Sequence, residues 1–320
     1  MIKTYLFTKQ GVQEDVPLDD WRNLVKDDCA ILWVDVRGMK EGELSELAPK
    51  FGLHDLALDS CRDPYRRPHL YDFKDHFYIN LTVVKPNRSH DLRPAELHLF
   101  AGEKFIITAT KEEKSEAVDK ALAEFNDEPD LCSRGTIYAV YLLSEELVET
   151  YYPIVEKLDD DADGLESDMF DIADKSSLKR VFHLKRQTFE LRKLLGPQRD
   201  ILNELSRRDF PFIEGESQVY FQDVYNRMIR IFDMLDTIRE ILSGSLDIYL
   251  SSVSNRLNEV MKVLTIAATI LVTLSVITGY YGMNVALPGQ HNPYAWVGIF
   301  ASMAITTVAL FWWFRRKKWM

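Results

Sequence analysis

NEVMKVLTIAATILVTLSVITGYYGMN, residues Asn258–Asn284, decides how the rest of the chain is read. Its first residues belong to an amphipathic helix. From Val263 to Tyr281 no charged residue occurs over about 19 positions, roughly what a helix needs to cross a bilayer core. Gly282-Met283-Asn284 ends the run, and a short loop with Pro288 and Gly289 follows. A second uncharged run of about 21 residues, Tyr294 to Phe314, brings the chain back. The expectation is two membrane spans, about 262–281 and about 294–314, in a C-terminal membrane region covering 260–320.

Charge sets the orientation. Arg315, Arg316, Lys317 and Lys318 follow the second span directly, while the 285–293 loop has no Lys or Arg. By the positive-inside rule both flanks of the pair are cytoplasmic and the loop carrying Asn284 faces outward. Trp296, Trp312, Trp313, Trp319, Tyr280, Tyr281 and Tyr294 stand where an interfacial aromatic belt is expected. The localisation expected is the cell (inner or plasma) membrane, with both termini inside.

Upstream of the spans, Gln218 to about Tyr281 reads as one helix, its stalk part covering 218–259. Val224, Met228, Ile231, Leu235, Ile238, Leu242, Leu246, Leu250 and Val253 recur at helical spacing. A helix this long cannot bury itself, and copies of the same chain are the simplest partners. The segment 134–217 reads as a helical hairpin: Thr136–Asp174, interrupted at Gly164, then Ser176–Ser206, bent at Gly196-Pro197. Asp159, Asp160, Asp161, Asp163, Glu166 and Asp168 place an acidic tip near its turn; a solvated face is the default for such a run.

Residues 1–133 alternate short apolar runs with helical stretches. Lys3–Thr8, Ile31–Val36, His76–Val84, Glu96–Phe100 and Lys104–Thr110 read as strands, the last two joined by a tight hairpin at Ala101-Gly102-Glu103. Leu18–Lys26, Glu43–Phe51 and Ser115–Phe125 read as helices. The fold class expected is an α+β cytosolic domain with a mixed sheet, followed by stalk helices and two C-terminal spans.

A net charge of -11 argues against a nucleic-acid partner, which requires a basic face. An acidic domain beside a membrane could attract cations, but keeping the chain soluble is the default reading of such a charge. Cys29, Cys61 and Cys132 form no CxxC pair and fit a reducing compartment. MIKTYLFTKQG is too short and polar for a signal peptide. The seven histidines lack metal-ligand spacing, and His98, between Leu97 and Leu99, reads as a packed or surface side chain. With no nucleophile elbow, phosphate-cradling loop or zinc motif, no enzyme is expected.

The tripeptide Gly282-Met283-Asn284 at the end of the first of two C-terminal spans resembles the CorA family of divalent-cation channels. So do the preceding segment SSVSNRLNEVMKVLTIAATI (Ser251–Ile270), the basic tail and the large acidic N-terminal part. Trp33-Val34-Asp35-Val36 is similar to a strand of the family's αβα sandwich. The resemblance implies a funnel-shaped homopentamer in the lipid bilayer that moves Mg²⁺, with Co²⁺ or Ni²⁺ as passengers. It also implies closure by cytosolic Mg²⁺ bound between subunits.

The resemblance further implies roles for individual residues. Asn258, Met261, Leu264, Thr265, Ala268, Val272, Ser275 and Gly279 would line the pore, with Met261, Leu264 and Val272 as apolar constrictions that gate by dewetting. Gly282, Met283 and Asn284 would form the filter: the glycine permits a tight turn, the methionine anchors it by packing, and the asparagine amide receives the ion's own waters. Asp59, before the Arg67-Pro68 turn, and Asp223 in Phe221-Gln222-Asp223-Val224-Tyr225 would be the regulatory carboxylates. The family's second acid is Ser60 here, which weakens that pair. Asp159–Asp168 would pull ions or offset the basic ring of Arg315–Lys318. The loop after Asn284 lacks the acids of many magnesium-type members, and Pro288-Gly289 is similar to the zinc transporters related to ZntB. A Zn²⁺ transporter of the same fold, and a non-transporting sensor or scaffold, are therefore the alternatives.

Overall fold

The computed structural model describes residues 1–40, 42–63, 67–86, 92–171, 175–207, 215–285 and 294–319. Two compact units emerge: one comprises Met1–Asp171 with Lys175–Ser245, and the other includes Leu246–Met320.

The first unit is built on β-branched and aromatic runs that form β1 (Ile2–Thr8), β2 (Gly11–Glu14), β3 (Ile31–Arg37), β4 (His69–Phe73), β5 (His76–Pro86), β6 (Leu92–Gly102) and β7 (Phe105–Thr110). They make one sheet in the order β2-β1-β3-β7-β6-β5-β4. Only β3 and β7 run parallel, so the sheet is mixed as expected. β3 and β7 bury both faces because helices cover each side, whereas β1 does so only at Leu6 and Phe7.

One face carries Leu6, Leu32, Val34, Phe100 and Ile107. It packs on Trp21 of the four-residue α1 (Trp21–Leu24), on Leu44, Leu47 and Phe51 of α2 (Glu43–Phe51), and on Ala57, Leu58 and Cys61 of α3 (Asp55–Arg62). On the other face Phe7 and Trp33 meet Phe125 of α4 (Glu116–Asp127), with ring centroids 5.3 and 5.8 Å from it. Asp35 is buried here. The Trp33 indole donates to Thr108 Oγ1 at 3.1 Å, and Thr108 donates to Asp35 at 2.8 Å. Arg37 bridges Asp35 and Asp119 at 2.6 Å each. Burial raises the Asp35 carboxyl above its usual range while Arg37 pulls it down. The acid of the Trp33–Val36 strand thus holds the sheet to α4.

Several boundaries differ from the sequence expectation. The β6–β7 turn is centred on Glu103-Lys104, one residue later than expected, since Ala101 pairs with Ile106. Strands β2 and β4 were hidden by short, polar sequences. The expected helix Leu18–Lys26 shrinks to α1. The expected Thr136–Asp174 is two helices, α5 (Gly135–Glu149) and α6 (Tyr152–Asp171), after a 3₁₀ turn at Pro129–Arg134. Pro153 has no N–H for the Glu149 carbonyl, so the chain breaks at Thr150-Tyr151, while Gly164 does not interrupt α6. α7 (Lys175–Arg207) runs through Gly196-Pro197. Gln198 of α7 ties this layer to the sheet: its Oε1 accepts from Thr82 N at 3.0 Å and from the Tyr151 hydroxyl at 3.1 Å.

α8 (Gly215–Tyr281) is one helix of 67 residues, and α9 (Ala295–Arg316) has 22. Both are long and apolar enough to cross a membrane. The Val224–Leu242 part of the α8 stripe is buried within the single chain, where copies were the simplest partners expected, while Leu250 and Val253 of the same stripe are exposed.

Candidate functional site

In the second unit the first span of α8 has two unlike faces. Asn258, Met261, Leu264, Thr265, Ala268, Val272, Ser275 and Gly279 are all exposed, Met261 at 57% and Val272 at 62%. Ile266 is buried, and Thr269, Ile270, Thr273, Leu274 and Ile277 are half-buried. At 100° per residue the mean directions of the two sets differ by about 150°. On α9 the shielded positions are Ala295, Ile299, Ser302, Met303, Thr306, Thr307, Leu310 and Phe314, again one stripe, so each span covers one side and leaves the other bare. The hydroxyls of Thr265, Thr269 and Thr273 each donate to the carbonyl four residues back at 2.7 Å, which satisfies them without water.

At the end of α8 the Gly282 amide donates to the Thr278 carbonyl at 2.9 Å. Gly282 is not in the left-handed region, so its role is not the conformational freedom expected from the sequence. A Cβ there would lie 3.1 Å from Thr278 O, closer than side chains normally sit. Met283 is half exposed and does not anchor the turn by packing within one chain. Asn284 is exposed. Pro288, Gly289 and His291 lie outside the described residues.

The basic tail begins inside α9. Arg316 lies over the Trp312 ring at 5.5 Å and Lys317 over Trp313 at 5.9 Å, with Arg315 and Lys318 exposed beside them. This pairing of indoles with cations suits a membrane–water boundary.

In the first unit the regulatory candidates are exposed and ion-paired. Asp59 meets Arg62 one turn on at 3.0 Å, and Asp223 meets Arg227 at 2.9 Å. Ser60 is wholly buried; its hydroxyl donates to Leu56 O at 2.9 Å and lies 3.2 Å from His69 Nε2. It points inward and supplies nothing at the surface beside Asp59. Arg227 also holds Glu145 at 3.0 Å and Glu149 at 2.7 Å, both on α5. Desolvation opposes its charge, but Glu149, Asp223 and Glu145 together raise its pKa. Sequence reading missed this cluster. Its one signal is Arg227 four residues after Asp223, the spacing of a helical ion pair; nothing marks Glu145 and Glu149 as partners.

Asp159, Asp160, Asp161 and Asp163 fall in the body of α6, not at a tip, because the helix continues to Asp171. Burial, then Asp163 and Asp160, raise the Asp159 carboxyl. Nearer the end, Asp168 pairs with Arg180 of α7 at 2.7 Å. Among the described residues no three His, Cys, Asp or Glu side chains lie together as a metal site.

The family model for "CorA-like Mg2+ transporter protein" matches residues 28–316. The cobalt/magnesium transport protein CorA of Thermotoga maritima is 33% identical over 304 residues, 92% of this chain and 85% of that protein. Its counterpart from Methanocaldococcus jannaschii is 27% identical over the whole of both chains. The complete structure of the CorA magnesium transporter from Methanocaldococcus jannaschii superimposes with a TM-score of 0.81 at 24% identity, covering 99% of this chain and 98% of that one, and so shares the fold.

Proposed function

This chain belongs to the CorA-like Mg2+ transporter family, and from that premise we propose that it is a homo-oligomeric channel moving Mg²⁺ into the cytoplasm, with Co²⁺ or Ni²⁺ as passengers. The protein transports divalent metal cations across the membrane through two C-terminal spans, with its sheet domain in the cytoplasm. Transport, not catalysis, is its activity.

One observation carries the pore reading: the exposed face from Asn258 to Gly279 lies opposite the shielded stripe and leads to Asn284. A bare stripe on a long helix is covered when copies surround a common axis. That axis is then lined by Met261, Leu264 and Val272, apolar rings that stop water when narrow. Thr265 and Ser275 add hydroxyl oxygens, Ala268 and Gly279 add room, and Asn258 marks the cytosolic mouth. Mg²⁺ releases its water reluctantly. A ring of Asn284 amides accepts hydrogen bonds from those waters and holds the hydrated ion less firmly than carboxylates would. Gly282 lets the turn close against Thr278, and Met283 packs against a neighbouring copy or lipid.

Regulation by cytosolic Mg²⁺ at Asp59 and Asp223 is weak in this chain. Each carboxylate already has an arginine partner, and Ser60 faces the interior. Divalent binding there must compete with Arg62 and Arg227 for single carboxylates.

The test is ion flux into proteoliposomes holding Mg²⁺- and Zn²⁺-sensitive dyes, wild type beside Asn284→Ala. The expected result is Mg²⁺ flux in the wild type and loss of selective flux in the variant, with the oligomer intact by size-exclusion chromatography. Zn²⁺ flux without Mg²⁺ flux would establish the zinc alternative, and selective flux in Asn284→Ala would remove the filter role.

A further inference from the structure

Three polar side chains meet on the α3-covered face of the sheet. Asn80 on β5 stands directly opposite His98 on β6, and Glu96 follows two residues before His98 on the same face. Asn80 and His98 are completely buried, and Glu96 is 15% exposed. Neither amide atom of Asn80 makes a well-formed hydrogen bond, and neither does His98 Nε2. Yet His98 Nε2 lies 3.7 Å from Glu96 Oε2. Buried polar atoms are almost always satisfied, so three that converge without satisfying one another point to a group held between them.

The imidazole is set up from behind. The Cys61 thiol donates to the Tyr78 oxygen at 3.7 Å, and that oxygen lies 2.9 Å from His98 Nδ1. Burial pushes the Cys61 thiol up to about 12, so it stays an S–H donor. The Tyr78 contact occupies Nδ1 and leaves Nε2 as the ring nitrogen on the Glu96 side. Metal-ligating histidines are oriented this way, by a partner on the nitrogen that does not bind.

We propose that His98 Nε2, Glu96 and the Asn80 amide oxygen bind one transition-metal dication of the Zn²⁺ or Co²⁺ type. Donors sharing such an ion at 2.0–2.2 Å lie about 3.0–3.6 Å apart, so the observed 3.7 Å closes with a shift of a few tenths of an ångström. The Asn80 oxygen turns inward about a torsion with a broad, flat preference. An imidazole ligand disfavours Mg²⁺, which takes oxygen donors, and favours the softer ions. The partly exposed edge at Glu96 gives access. Lys111 and Asp63 act on it with opposite charges. The site would let the cytoplasmic domain tell a transition metal from Mg²⁺.

The test is Co²⁺ titration of the metal-stripped full chain in detergent, with excess Mg²⁺ to fill oxygen-only sites, followed by visible absorption. The wild type is expected to give one saturable Co²⁺ band per chain. His98→Gln should abolish it, Glu96→Gln should weaken it at least about tenfold, and Tyr78→Phe about tenfold through loss of ring orientation. Circular dichroism checks each fold. Glu96→Gln, conservative and partly exposed, decides the matter if His98→Gln misfolds. No band in the wild type would mean that buried water bridges the three side chains, and the proposal fails. A band unchanged in Glu96→Gln would also overturn it. The readout is binding and not flux, so its outcome is independent of the transport reading.

Discussion

α8 contains two regions that look alike in sequence and behave differently in structure. From Phe221 to Leu242 its apolar stripe is buried by the chain's own helices. From Leu250 through Val276 the same kind of residue at the same spacing lies bare: Leu250, Leu257, Val260, Val263, Leu264 and Val272 are all exposed. Helical periodicity reports that a face must be covered; it does not report what covers it. The first region is covered by α5 to α7 of one chain. The second is left bare by the single chain, as the proposed pore assembly requires.

Substitution in matched pairs breaks this comparison most sharply. Ile231→Ala removes a wholly buried side chain and should cost about 2–5 kcal/mol of stability. Leu257→Ala, in the bare region, should leave the melting of the cytoplasmic domain unchanged and weaken the oligomer. Thermal melts by circular dichroism and native mass spectrometry read the two effects. Equal effects on domain melting would mean that the two regions do not differ in partner.

Arg227→Gln should have a smaller effect. It leaves Glu145, Glu149 and Asp223 facing one another at half-exposed positions, a loss of about 1–2 kcal/mol that shrinks with added salt. Urea titrations at low and high ionic strength measure it. Smallest is Asp59→Asn, where an exposed pair contributes at most about 0.5 kcal/mol. If Asp59 contributes to closure, internal Mg²⁺ should inhibit flux less in that variant even though its stability barely changes.

Much of this was legible beforehand, for identifiable reasons. The spans were legible because uncharged runs of this length have few other uses. Strands β1, β3, β5 and β7 were visible because β-branched residues concentrate in them, and β6 because ELHLF alternates polar and apolar residues; β2 and β4 were not, since GVQE and HLYDF carry little of either signal. The break at Thr150-Tyr151 is marked only by Pro153, which the first turn of α6 tolerates. Tertiary partners were the least legible. Nothing in the residues around Asp223 names Glu145 and Glu149, and the burial of Ser60 follows from α3 lying on the sheet. Likewise, His98 read as an ordinary packed histidine; only the pairing of β5 with β6 brings Asn80 and Glu96 to it.

The most direct measurement places single cysteines along the span and asks which block the ion path. Cys61 and Cys132 are buried and Cys29 is half-buried, all within the cytoplasmic unit, so background reaction with a charged thiol reagent is small. Cysteine at Thr265, Ala268, Val272 or Ser275 should let the reagent stop Mg²⁺ flux in proteoliposomes. Cysteine at Ile266, Ile270, Thr273 or Ile277 should leave flux intact. Block at the second set and not the first would put the ion path on the other face of α8 and contradict the account.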